Sequence, residues 1–303
     1  MANLLERLNA QHPLGAPKWL PDNTHYLCSM GSTAYGVERE GGGSDRDVYG
    51  FTLPPLELIW PHLSGEIPGF GRQLNRFEQF QAHHLLDTSK SATNPITWDL
   101  SIYSIVKFFQ LAMENNPNMV DALFVPQDCV LHCTAIGQMM RESRKTFLHK
   151  GSFHKLKGYS YSQKSKMLQK VPTEDSSRYR DWKQYGFCLK AAYHTVRLLL
   201  QCEQILIEHD LDLRRHSAQL KAIRAGEWSA DQVVEFFNTK EKSLEDLYGT
   251  STLRHSPDEP AIKALLYSCL EQHYGNLSNV VPQPNRHQDC CNAIRKVLDQ
   301  YGV

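Results

Sequence analysis

Twelve residues separate Gly31-Ser32 from Asp45-Arg46-Asp47, and this spacing constrains the chain more than any of its other features. Aspartates one residue apart on a strand project to the same face, so Asp45 and Asp47 would present two carboxylates side by side. Such a pair can grip hard divalent cations through oxygen. Residues 45–52 alternate as a strand does, Asp47 and Tyr49 against Val48 and Gly50, and Gly41-Gly42-Gly43-Ser44 forms a flexible lead-in. Upstream, Gly31-Ser32-Thr33-Ala34-Tyr35-Gly36 reads as a Gly-Ser turn entering a helix. Such a turn offers backbone amides and the Ser32 hydroxyl to phosphate oxygens; Gly31 lets the backbone come close and Gly36 permits a tight bend. An isolated Asp-x-Asp is commonly a solvated strand end. The chemistry is carried by its conjunction with Gly31-Ser32, Ser44 and Gly50.

Around this constellation the pattern predicts an α+β protein: an N-terminal α/β domain over residues 1–125 and a helical domain over residues 126–303. A helix is expected over residues 3–9 and a strand over Thr24–Ser29. Residues 54–95, rich in Pro, Gly and His, indicate no element. A short strand over residues 96–99 is expected to give way at Ser101 to an amphipathic helix with Ile102, Ile105, Val106, Phe109 and Met113 on one face, stopped by Asn115-Asn116-Pro117-Asn118. Helical periodicity then covers residues 136–147, 158–169, 177–209, 218–225, 229–248 and 258–274.

Formal net charge is zero, but its partition is uneven: residues 141–197 carry 14 basic and 4 acidic groups. A solvated basic face explains such a band, as does a surface for a polyanion. Aromatic residues interleave it (Phe153, Tyr159, Tyr161, Tyr179, Trp182, Tyr185), a mixture that serves either a core or base stacking. On the helix around residue 190, Lys190, His194 and Arg197 are spaced to share a face, as a solvated stripe or as a clamp for nucleotide phosphates. The eight cysteines form no convincing zinc-ligand pair, and His83-His84 and the Cys129/His132/Cys133 group read as structural. Reduced thiols, no signal-peptide pattern and no apolar run approaching the ~20 residues of a membrane span lead us to expect a cytoplasmic protein, with no membrane partner.

The Gly-Ser, Asp-x-Asp spacing resembles the signature of DNA polymerase beta-type nucleotidyltransferases, with Arg46 standing where many members have an apolar residue. More narrowly the chain resembles the bacterial and phage RlaP or YcgL-like branch, associated with RNA repair. That resemblance rests on Gly31 to Gly36, on Ser44-Asp45-Arg46-Asp47-Val48-Tyr49-Gly50, on residues 99–109 and on Asn115-Asn116-Pro117-Asn118-Met119. It extends to Lys157-Gly158-Tyr159 with Gln163 and to Lys190-Ala191-Ala192-Tyr193-His194 with Arg197, through about residue 250.

The resemblance implies magnesium (or manganese) held by Asp45, Asp47 and a third carboxylate on a neighbouring strand. Asp99 is the candidate for that third carboxylate and Asp87 its rival; alternatively, Asp99 is merely a helix cap. It further implies a nucleoside triphosphate bound by Gly31, Ser32, Lys190, His194 and Arg197, and transfer of a nucleoside monophosphate to an acceptor hydroxyl. An RNA end is favoured over DNA. A protein hydroxyl, or a catalytically silent nucleotide- or RNA-binding module, are the alternatives. A coincidental motif would leave the carboxylates far apart.

Overall fold

The computed structural model describes residues 4–11, 14–38, 46–59, 75–89, 96–169 and 177–275, with residues 290–291, 294–295, 297–298 and 300 beyond them. Helix α1 (Leu4–Gln11) precedes strands β1 (Thr24–Ser29) and β2 (Arg46–Thr52), a helical turn α2 (Leu56–Ile59), and strands β3 (Gln79–Asp87) and β4 (Ile96–Ser104). Helices α3 (Ile105–Met113) and α4 (Pro117–Phe124) follow, then β5 (Val130–Cys133) and α5 (Ala135–Glu142). The remainder is helical: α6 (Gly151–Gln169), α7 (Ser177–Tyr185), α8 (Leu189–Glu208), α9 (Ser217–Arg224), α10 (Ala230–Thr250) and α11 (Glu259–Tyr274).

The five strands form one sheet in the order β3-β4-β2-β1-β5, in which β2 and β4 run parallel and the other pairs antiparallel. Alternation sorts its two faces. Leu27, Val48, Trp98, Leu100 and Ile102 pack with Leu4, Leu5 and Leu8 of α1 on one side. On the other, Tyr26, Cys28 and Phe51 join Phe108 of α3 and Leu123 of α4 in a core that runs on into the helical body. At the centre of that body stands α8, buried along most of its length and packed against α6, α9 and α10.

Several expectations change. The strand expected over residues 96–99 continues to Ser104, because β2 and β3 pair with it on both edges; the helix begins at Ile105, where the Ser104 hydroxyl accepts from the Lys107 amide. The helix expected over residues 177–209 is two helices, broken where Gly186 takes φ +80°. And residues 54–95 contain β3. Its alternation is masked because a bulge between Ala82 and Leu85, with His84 at φ +56°, shifts the phase, so that Phe80 and Leu85 both reach the α1 face. The sheet also takes in β5, past residue 125.

Candidate active site

Parallel pairing of β2 with β4 sets Asp47 opposite Asp99 and Tyr49 opposite Ser101, on the face away from α1. Neighbouring strands lie ~4.8 Å apart, so the paired aspartates project side by side. Arg46 points to the other face, its guanidinium 5.7 Å from the centre of the Trp98 ring. This resolves the departure at residue 46: a long side chain covers a ring on the far side of the sheet. Asp45 and Ser44 lie outside the described residues.

Gly31 is built against Asp47. The Met30 amide donates to the Asp47 carbonyl at 2.7 Å, and a Cβ on residue 31 would stand 2.5 Å from Asp47 Oδ2. Gly31 also has φ +65°. The expected helix after it is a single turn: the Val37 amide reaches back to the Ser32 carbonyl (2.9 Å) and the Gly36 amide to the Thr33 carbonyl (3.2 Å), with Gly36 at φ +64°. This crossed pair of bonds around a left-handed glycine is a helix-ending motif, here closing the turn as soon as it forms.

Asp99 is held by the β3 bulge. Its Oδ1 accepts from the His84 amide at 2.7 Å and lies 3.6 Å from His83 Nδ1. The rival, Asp87, faces α1 instead, where it meets Arg7 (3.1 Å), Gln11 Nε2 (3.1 Å), Trp98 Nε1 (3.3 Å) and the Ser89 amide (3.0 Å). Burial would raise its pKa, but the hydrogen bonds from Ser89 and Gln11 and the Arg7 charge hold it well below the usual carboxylate range. Its side chain is fully buried whereas that of Asp99 is 21% exposed, so Asp99 is the carboxylate a ligand can reach.

Beside the aspartates, Tyr49 stacks on Tyr103 with ring centres 6.4 Å apart and accepts at its hydroxyl from Asn118 Nδ2 at 3.4 Å. Burial, then Tyr103 and Asp47, push its pKa up to about 12. It is therefore a neutral hydrogen-bonding group at any physiological pH.

The helical body grips the Gly31–Gly36 turn from below, through pairings that the sequence pattern does not announce. The Tyr35 hydroxyl donates to Asp121 Oδ2 at 2.7 Å. That carboxylate also receives Arg197 Nη1 at 2.6 Å, while Gln201 Nε2 donates to its other oxygen at 3.1 Å. Arg214 Nη2 donates to the Thr33 carbonyl at 3.2 Å, and Arg224 donates to the Val37 carbonyl. One signal was available: Asp121 is the lone charge in the apolar helix Pro117–Phe124, and a buried carboxylate demands a partner.

The expected stripe on α8 therefore divides. Lys190 is exposed, His194 is half-buried with its ring 4.1 Å from that of Tyr193, and Arg197 lies inside, on Asp121 and over the Tyr35 ring (4.1 Å). A guanidinium buried among these groups is stable only when paired, so Arg197 is turned from the surface to Asp121. The structure brings Gly31, Asp47 and Asp99 together, with Ser32 adjoining; it does not bring Lys190, His194 and Arg197 to one surface. Among the described residues no group of three or more His, Cys, Asp or Glu stands ready to hold a metal ion. No described helix is long and apolar enough to cross a membrane.

The model of one protein family, RlaP, described as an RNA repair pathway DNA polymerase beta family, matches residues 1–256. No curated protein matches. Among solved structures, a nucleotidyltransferase-like protein from Exiguobacterium sibiricum 255-15 is similar at 9% identity, over 97% of this chain and 89% of that one, with a TM-score of 0.26. That likeness is too slight to carry fold or chemistry.

Proposed function

The chain belongs to the RNA repair pathway DNA polymerase beta family, and from that premise we propose that this nucleotidyltransferase moves a nucleoside monophosphate from a nucleoside triphosphate onto the terminal hydroxyl of an RNA. The single observation that carries the reading is the pairing of Asp47 with Asp99, with Gly31 pressed on the Asp47 carboxylate.

The donor set fits a hard cation: two carboxylates from adjacent strands, on one face, with oxygen as the only ligand atom. Asp47 and Asp99 would hold magnesium or manganese, Asp45 completing the set. When bound, such a cation neutralises triphosphate charge and favours ionisation of the attacking hydroxyl.

The acceptor oxygen attacks the α-phosphorus, forming the new P–O bond as the α–β phosphoanhydride bond breaks, and pyrophosphate leaves. Asp99, partly exposed, takes the hydroxyl proton. Gly31 and Ser32 cradle the β- and γ-phosphates, where the absence of a side chain at residue 31 lets the backbone come close. Lys190 offsets phosphate charge from the surface, with His194 beside it. Arg197 acts through Tyr35 and Asp121, fixing the turn from behind, and so is a positioning residue.

The test is incubation with each nucleoside triphosphate radiolabelled at the α-phosphate, magnesium or manganese, and RNA ends, DNA ends or cell extract, beside Asp47→Asn and Asp99→Asn. Label on RNA in the wild type alone is the expected result, with loss of at least a hundredfold in either variant at unchanged melting temperature. Label on a protein would transfer the reading to protein nucleotidylation. No label anywhere, with nucleic-acid binding retained, would make the chain a binding module.

A further inference from the structure

The basic, aromatic helix α6 is not absorbed by the reaction. It contains four lysines and no acidic residue. Lys157 is taken up by Glu241 (3.2 Å) and Glu245 (2.8 Å), and Lys164 lies over the Phe237 ring (3.6 Å), so these two serve the packing against α10. The other two do not. Lys155 and Lys166 are exposed on the same edge of the helix as Tyr159 and Ser162, at intervals of four, three and four residues. Tyr159 is 45% exposed, and its side chain and those of Ser162 and Lys166 make no hydrogen bond, ion pair or ring contact among the described residues. An unpartnered ring between two ammonium groups gives an apolar face bracketed by positive charge.

The stripe leads to the carboxylates. At its N-terminal end Lys155 lies 3.9 Å from Glu114, the residue that caps α3. Two residues on, Asn116 caps α4, and exposed Asn118 reaches the Tyr49 hydroxyl beside Asp47. From Lys155 to Lys166 the edge is roughly 16 Å long at ~1.5 Å per residue.

We infer that the edge of α6 formed by Lys155, Tyr159, Ser162 and Lys166, continued by Asn118 and Tyr49, is a track for the single-stranded end of the RNA acceptor. This rests on the polynucleotide reading above. Single strands are held by base stacking on exposed aromatics combined with phosphate contacts to lysine, a pairing that tolerates any sequence. A duplex buries its base faces and cannot use Tyr159.

The experiment is fluorescence anisotropy of the full chain with a labelled single-stranded RNA 12-mer and with its blunt duplex, across a salt series. The variants are Tyr159→Ala/Lys166→Glu on the track and Lys263→Glu on α11 as an equal change of sign elsewhere. The wild type binds the single strand more tightly than the duplex, and with affinity falling as salt rises. The track variant weakens at least tenfold at unchanged melting temperature, and Lys263→Glu stays within twofold. Undiminished binding by the track variant, equal loss in Lys263→Glu, or equal affinity for the duplex overturns the track. Transfer of label is read separately. RNA binding through the track without transfer would remove the proposed reaction and leave the surface, whereas transfer with track-independent binding would do the reverse.

Discussion

At residue 31 a side chain has no place, since its Cβ would lie 2.5 Å from Asp47 Oδ2 and the backbone already sits at φ +65°. The neighbour that must give way is the end of a side chain, so Gly31→Ala should displace the carboxylate rather than the sheet. Label transfer should fall at least tenfold while stability drops by about 1–2 kcal/mol, the cost of a left-handed non-glycine residue, read by urea denaturation. His84 presents the opposite case: it holds φ +56° with a side chain, and its amide fixes Asp99. His84→Gly should leave stability within about 1 kcal/mol, whereas a β-branched His84→Val should lower both stability and label transfer. At this scale the approach of Gly31 to Asp47 was legible in a spacing along one stretch of chain, while Asp99 as a candidate carboxylate came only with the family resemblance. Tyr35 with Asp121 and Thr33 with Arg214 were not: these partners are 86 and 181 residues apart, and nothing local announces them.

Among the elements, β1 was legible to the residue and β3 not at all. The former is buried at every residue but His25; the latter is an edge strand, mostly exposed, whose bulge moves its apolar residues out of phase. The end of β4 was misplaced for a related reason. Ile102 and Ile105 suit a helical face as well as the join of a strand to a helix, and only pairing on both edges decides it. Between elements, the buried bond from Arg197 of α8 to Asp121 of α4 couples the helical body to the Gly31 turn through Tyr35. Arg197→Met should cost about 3–5 kcal/mol, because it strands a buried carboxylate, and it should loosen Tyr35. If Arg197 acts by positioning, label transfer in the variant should fall chiefly in kcat, with little change in KM for the triphosphate.

The whole molecule is closed by α11, which returns to the sheet through His273. Its Nδ1 lies 2.9 Å from Nε2 of His25 on β1, whose Nδ1 meets the Thr134 hydroxyl at 2.8 Å. Burial, then the nearby His273 and His132, lower the pKa of His25 to about 4. The folded state therefore favours the neutral ring, and the unfolded chain binds the extra proton between about pH 6.5 and 4. The stabilisation is complete above the ordinary histidine value and is lost as pH falls through that window. Melting temperature should decline from pH 6.5 to 4, and His25→Gln should flatten the decline. The uneven charge was legible at this scale, and the family model has an independent claim on residues 1–256.

The grip on the Gly31–Gly36 turn also sets an order in time. Asp121, Arg197, Arg214 and Arg224 all follow the turn in the chain, the last of them 187 residues after the carbonyl it holds. A chain emerging from the ribosome N-terminus first carries Asp47 and Asp99 long before the contacts that set the turn beside them. The full set of contacts on the turn therefore comes together only after residue 224 has been added.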